Sequence, residues 1–125
     1  MAILEELRNY LLSNGVTGVF MVKMPDTPDD AVCLYEYAGI PPEFAHDGQQ
    51  WENLRVQAVA RDAKLNYANA RAKAQSVYNV LNGTVNTTID SSRYLKILAL
   101  QSPFPMGADE NDRPRIVVNF EIGRV

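Results

Sequence analysis

The sequence predicts an α+β fold, with one mixed or mostly antiparallel twisted sheet of about five or six strands and two helices packed on one face. Residues 54–61 alternate between apolar and polar side chains, as a half-buried strand does. The apolar period then changes to helical spacing up to Leu81, and residues 115–122 alternate again. With 125 residues and 46% hydrophobic content, the chain fits one domain, residues 1–125.

The first part of the chain predicts a helix followed by two strands. Residues 2–13 carry an apolar stripe at helical spacing. Residues 16–22 and 31–37 are rich in β-branched and aromatic side chains, which favour strands. The short turn at 25–30, with its prolines and aspartates, predicts that these strands form a hairpin. Residues 39–50 contain two prolines and two glycines and predict a loop.

The central segment, from Trp51 to Asn82, predicts a strand that runs directly into a long helix. The apolar face of the strand comprises Leu54, Val56, Ala58 and Ala60, and its polar face comprises Arg55, Gln57 and Arg61. We expect Asp62 to cap the helix, because its carboxylate can accept from the free amides of the first turn. We expect the helix to stop at Asn82–Gly83, because glycine readily adopts a left-handed conformation.

The last part of the chain predicts two long strands. Residues 84–89 are β-branched and fit a strand or an extended connection. Residues 93–101 are apolar on both faces, as in a central strand. Residues 102–113 predict a long acidic loop, and residues 115–122 predict the closing strand, paired antiparallel with 93–101.

The charge of the chain is unevenly distributed. The net charge is -3, and residues 1–50 contain two cations against eight acids, a balance of -6, so the remainder carries +3. A bulk basic nucleic-acid binder is therefore not expected. We expect Cys33 to be a small buried side chain. We also expect no signal peptide and no membrane span, and hence a cytoplasmic protein.

The residues offer little for catalysis or metal binding. His46 is the one histidine and lies in the proline- and glycine-containing loop. Asp109, Glu110 and Asp112 lack the spacing of a calcium loop and fit a solvated turn. We therefore predict no catalytic residue, no metal and no cofactor. A small metal-dependent hydrolase or nuclease that combines this acidic cluster with His46 is the alternative.

Polar side chains on one strand face predict a protein interface, with exposure to water as the alternative. We expect Arg55, Gln57, Arg61, Arg71 and Lys73 to meet acids of a neighbouring copy, namely Asp26, Asp29, Asp30 or Glu36. A further alternative is a monomeric adaptor that recognises peptides by strand addition at an open sheet edge.

Three stretches carry a resemblance to a known family: QQWENLRVQAVARD, SPFPMGADENDRPR and VVNFEIGR. In this order and at this length, the chain resembles the small minor capsid or tail terminator proteins of long-tailed bacteriophages. The resemblance implies an α/β fold with a twisted sheet, and a hexameric ring at the head-proximal end of the tail tube. It implies the tail tube protein and a head connector or completion protein as partners.

The same resemblance implies a structural virion protein of the tail neck, assembled in the host cytoplasm, with DNA passing through the lumen without specific binding. It places partner contacts in the loops, where we expect Phe44, His46, Phe104, Asp109, Glu110 and Asp112. Another neck component, such as a head completion or head–tail connector protein, remains the alternative within this class.

Overall fold

The computed structural model describes residues 2–39, 41–44, 48 and 50–125 of the chain. Its elements in chain order are α1 (Ile3–Ser13), β1 (Val19–Met21), β2 (Ala31–Tyr37), β3 (Glu43–Phe44), β4 (Gln50–Arg61), α2 (Tyr67–Leu81), β5 (Thr84–Ile89), β6 (Ser92–Ala99), β7 (Phe104–Ala108) and β8 (Pro114–Arg124). Neither of these helices is long and apolar enough to cross a membrane.

The described strands form one curled, mixed sheet in the order β1-β2-β4-β8-β6-β5, with β3 added to β4 and β7 added to β8. The long strands β4 and β8 lie side by side at the centre, paired from Glu52↔Arg124 to Arg61↔Arg115. All strand pairs are antiparallel except β1–β2. The predicted α+β fold is confirmed, and so is the antiparallel pairing of β6 with β8.

The core lies between one face of this sheet and the two helices. The predicted apolar faces of β4 and β8 both point into it, and the alternate side chains point to the opposite face. Leu7 and Leu11 of α1 are fully buried, as are Val77 and Leu81 of α2. Burial of these stripes holds both helices on the same side of the sheet, which leaves the other side, the outer face, free of helices.

The predicted hairpin of the first two strands is wrong. β1 contains only three residues and runs parallel to β2, with Val19 opposite Val32. The backbone turns sharply after β1, because Val22 adopts a left-handed φ of 74° and the chain then returns alongside the sheet. Because β1 is so short, residues 22–30 are sufficient to return the chain to the level of Val19, where β2 begins in parallel.

The predicted helix cap at Asp62 is also wrong, because α2 begins at Tyr67 with Asn66 as its N-cap. Asp62 accepts instead from the adjacent amide of Ala63 at 2.7 Å. Leu65 has a left-handed φ of 62°, which interrupts any helix between the two positions. The helix does end at Leu81, directly before Asn82 and Gly83 as predicted.

Two segments that we predicted to be loops contain short strands. Residues 39–50 include β3, and residues 102–113 include β7, which pairs with the first half of β8. Residues 84–89 form the edge strand β5, in a hairpin with β6. Cys33 is fully buried in β2, as expected from its apolar surroundings.

Candidate functional site

The outer face of the sheet carries two adjoining cavities, which together we call the outer groove. The deep end has a volume of about 590 Å³ and lies between residues 23–26 on one side and residues 106–115 on the other. The shallow end, of about 230 Å³, is lined by Tyr35, Tyr37, Gln57 and Asn119. Tyr35 and Gln57 line both ends, so the two cavities form one depression across β2, β4 and β8.

The floor of the outer groove is set by the strand register. Tyr35, Gln57 and Asn119 lie opposite one another on three neighbouring strands. The side-chain amide of Gln57 donates to Asn119 Oδ1 at 3.1 Å, which joins the two central strands across the floor. Burial, with a smaller effect from the adjacent Cys33, raises the pKa of Tyr35 to about 12, so its hydroxyl stays neutral near physiological pH.

Arg61 closes the deep end from below, at the last position of β4, where it is only 3% exposed. Its Nε donates to the carbonyl of Asp29 at 2.9 Å and its Nη2 to the carbonyl of Pro28 at 2.6 Å. Burial and the positive charge of Arg113 both lower the pKa of the Arg61 guanidinium from its usual value. Arg61 is therefore an internal cation that holds the 25–30 segment against the sheet.

Arg113 holds the same segment from the turn before β8. Its Nε donates to Asp109 Oδ2 at 2.8 Å, and its Nη1 donates to the carbonyl of Asp26 at 2.6 Å. Ion pairs of 3.2 Å to the carboxylates of Asp26 and Asp29 complete the arrangement. Although desolvation opposes it, bonds from the backbone amides of Arg113 and Asn111 and from the guanidinium lower the pKa of Asp109.

The residues predicted for a subunit interface are only partly gathered at this site. Gln57, Arg61 and Asp26 line the deep end. Asp26 and Asp29 both pair with Arg113 of their own chain. The other residues predicted for the interface do not line this cavity. Lys73 lies 4.0 Å from Asp30, and Arg71 donates to the carbonyl of Pro103. Glu36 is exposed on β2, and Arg55 Nε is buried with no hydrogen-bond partner among the described residues. Their role in an interface stays a prediction.

The residues predicted for partner contacts are spread more widely. Phe104 is 37% exposed in β7, and Asp109 is engaged by Arg113. Glu110 lines the deep end of the groove, and Asp112 lies 3.9 Å from Lys64. Phe44 lies in β3, and His46 lies outside the described residues. Within the part of the chain that the structure describes, no group of three or more His, Cys, Asp or Glu residues is arranged to hold a metal ion.

Comparison with known proteins identifies the family. A family model described as "Bacteriophage tail terminator protein" matches residues 10–124, from the end of α1 through β8. This chain belongs to the bacteriophage tail terminator family. The match includes both ends of the outer groove, and it confirms the resemblance found in the sequence.

A solved structure supports the fold of this terminator chain. A chain from the structure titled "Virion of native gene transfer agent (GTA) particle" superposes with a TM-score of 0.73 and 17% sequence identity. The alignment covers 98% of this chain and 94% of that one. At this identity the likeness establishes the fold alone. No curated protein matches the chain.

The predicted site residues did not include Tyr35, Arg113 or Arg115 of the terminator's outer groove. Arg113 lies 87 positions from Asp26, so no local pattern connects them. One signal was present, because Arg113 directly follows the acidic turn at 109–112, and a second acidic turn lies at 25–30. Clustered acids in a compact fold require a cation close to them.

Proposed function

We propose that this chain is a structural subunit that caps the head-proximal end of the tail tube as a hexameric ring and forms the surface to which the head connector binds. The observation that carries this proposal is the family match over residues 10–124. The tail tube protein and a head connector or completion protein are the proposed partners. DNA passes through the lumen of the ring without specific binding.

The outer face has features that suit contact with another protein. It carries the groove and also partly exposed apolar side chains on β6 and β7: Leu98 at 40%, Phe104 at 37% and Met106 at 40%. Protein interfaces combine apolar contact area with arginine and aromatic side chains, and this face supplies all three. A ring also requires two unlike surfaces on each copy, and the helical side of the sheet differs in shape from the outer face, which carries the groove.

The proposed role involves no catalysis. Recognition and shape complementarity are sufficient to stop tube growth and to join a tail to a head. The protein acts in the neck of the virion after assembly in the host cytoplasm.

Sedimentation velocity and negative-stain imaging test the proposal, on the protein alone and mixed with purified tail tubes. We expect a species of six-fold mass, alone or at tube ends, and tubes that no longer elongate once capped. Absence of both a ring and any tube-end density would refute the proposal. Binding to isolated heads without binding to tubes would favour the alternative, a head completion or head–tail connector protein.

A further inference from the structure

The deep end of the outer groove contains a buried arginine with a spare hydrogen-bond donor. Arg61 uses Nε and Nη2 on backbone carbonyls, while its Nη1 makes no hydrogen bond within the described residues. The side chain lines the cavity although the residue is only 3% exposed. This nitrogen is not among the fully buried polar atoms that lack a partner, so it faces the cavity and water reaches it. A carboxylate delivered into the cavity replaces that water with a charge-assisted hydrogen bond.

We propose that this end of the groove binds a carboxylate side chain of a second copy of the chain. The inference rests on the proposed ring and identifies the contact that one copy makes with the next.

Arg115 provides a second donor for the same carboxylate. Its Nε and Nη2 reach the carbonyls of Gly107 and Ala108 only at 3.5 and 3.4 Å, longer than ordinary hydrogen bonds of this type. Such contacts are easily exchanged for a charge-assisted bond, which is shorter and about twice as strong. Lys23 lines the same cavity and makes no ion pair among the described residues. The three cations surround a space large enough for one side chain.

The lining favours a protein carboxylate over a phosphate backbone. Asp26, Asp109 and Glu110 lie around the cavity, and their charges repel a polyanion that passes across it. A single carboxylate placed against Arg61 and Arg115 avoids most of this repulsion. Apolar contact is available beside it from Met24, Val59 and Met106, as required for the stem of a glutamate or for a neighbouring apolar residue.

A second copy can supply the carboxylate by charge complementarity. Glu5 on α1 and Glu36 on β2 are exposed, and neither forms an ion pair within the described part of the chain. Both lie outside the cavity of their own chain. A contact from such a residue to the groove of the next copy joins two different surfaces, which is the geometry that closes a ring.

Charge reversal at Arg115 tests the contact, because Arg115 is half-buried and does not hold the 25–30 segment. The matched control is Arg93→Glu, at an exposed arginine on β6 whose side chain donates to Asn86 Oδ1. In the full chain, with tail tubes present, we expect Arg115→Glu to weaken ring assembly by about tenfold or more, the loss of one charge-assisted bond per interface. We expect Arg93→Glu to stay within about twofold of the wild type, as usual for an exposed charge. Circular dichroism melting curves establish that both variants are folded.

Zero-length crosslinking identifies the partner residue. Arg115→Lys places an amine in the groove, and a carbodiimide then couples it to an adjacent carboxylate, forming an amide as the reagent takes up the water. Rings assembled from mixed nitrogen-14 and nitrogen-15 copies distinguish crosslinks between copies from those within one copy. We expect mixed-isotope crosslinks from Lys at position 115 to a glutamate or aspartate, and none from the Arg93→Lys control.

The outcomes separate this inference from the proposed function. Normal ring assembly by the Arg115→Glu variant, or crosslinks found only within single copies, would overturn this inference but not the proposed function. If the wild-type protein forms neither rings nor caps, both proposals are overturned.

Discussion

Glu6 is a fully buried carboxylate that joins α1 to the far end of the sheet, and its removal should be strongly destabilising. It accepts hydrogen bonds from Ser92 Oγ at 2.6 Å, Tyr94 OH at 2.8 Å and Arg124 Nη1 at 3.0 Å. Burial works against the charged form, but these three donors hold the pKa of Glu6 below its ordinary value of 4.5. The helix is therefore fastened to β6 and β8 through one side chain.

The magnitude follows from what Glu6→Ala leaves behind. The Tyr94 hydroxyl, on a residue that is 0% exposed, loses its carboxylate acceptor, and Arg124 loses its closest ion pair, with the carboxylate of Glu52 remaining at 3.8 Å. Breaking a buried ion pair in this way costs about 3–5 kcal/mol of unfolding free energy. Glu6→Gln keeps the shape but loses the charge, and we expect a smaller cost of about 1–2 kcal/mol. Urea unfolding followed by far-ultraviolet circular dichroism measures both.

The matched control is Glu5→Ala, an exposed neighbour on the same helix, which we expect to change stability by less than about 0.5 kcal/mol. Because the folded-state pKa of Glu6 is lowered, its contribution is present above 4.5 and is lost as the pH falls through the folded-state value. Glu6→Gln should therefore flatten the acid limb of the stability curve. A cost below about 1 kcal/mol for Glu6→Ala, or an unchanged acid limb in Glu6→Gln, would refute the reasoning.

Three further predictions concern the backbone and the groove. A Cβ at Gly39 lies 2.0 Å from the backbone oxygen of Asn53, so Gly39→Ala should cost about 1–3 kcal/mol in urea unfolding. A cost no larger than that of Gly123→Ala, where the nearest atom is the side-chain Cγ of Lys96 at 3.4 Å and the φ is not left-handed, would contradict this clash. Val22 is 70% exposed with a left-handed φ of 74°, so Val22→Gly should raise stability by about 0.5–1 kcal/mol, and a loss would argue against strain there. The raised pKa of Tyr35, about 12 against an ordinary 10.0, means that stability falls as the pH rises between these values. Tyr35→Phe should remove one late-ionising tyrosine from an ultraviolet titration, and an unchanged curve would count against it.

The sequence predicted those parts of the fold that depend on local period. In β4 and β8 every second side chain points into the core, from Leu54 to Ala60 and from Ile116 to Ile122, and an alternating sequence pattern predicts this residue by residue. β6 is different, because Tyr94 and Ile97 are both fully buried although three positions separate them. A register shift between Tyr94 and Lys96 changes the phase of the strand, so apolar residues occupy both faces of the pattern.

Strand direction could not be predicted, because it depends on contacts between distant residues. The path of the 25–30 segment determines whether β1 and β2 run parallel, and that path is held by Arg61 and Arg113 from the far side of the sheet. The predicted start of α2 was wrong for a local reason. Asp62 has the chemistry of an N-cap, but the left-handed backbone at Leu65 postpones the helix until Asn66.

The sequence pattern also predicted one property of the candidate site and missed another. Alternation placed Arg55, Gln57 and Arg61 on one strand face, and the structure places all three on the outer face. The same pattern does not predict how deeply each side chain is buried. It therefore does not distinguish Arg61, which is nearly buried, from the half-buried Arg55. Depth comes from the 25–30 segment folding over the end of β4, which is a tertiary event.

The charge asymmetry of the sequence is largely neutralised inside one chain, and this limits which charges could join copies in the proposed ring. Asp26, Asp29 and Asp109 are paired with Arg113, whereas Arg115 has only long contacts to carbonyls. The proposed contact joins the few charges left unpaired in a largely desolvated groove, so assembly of the proposed ring should depend only weakly on salt, as sedimentation at low and high ionic strength would measure. It should depend strongly on the position of the 25–30 segment, because that segment forms one wall of the groove.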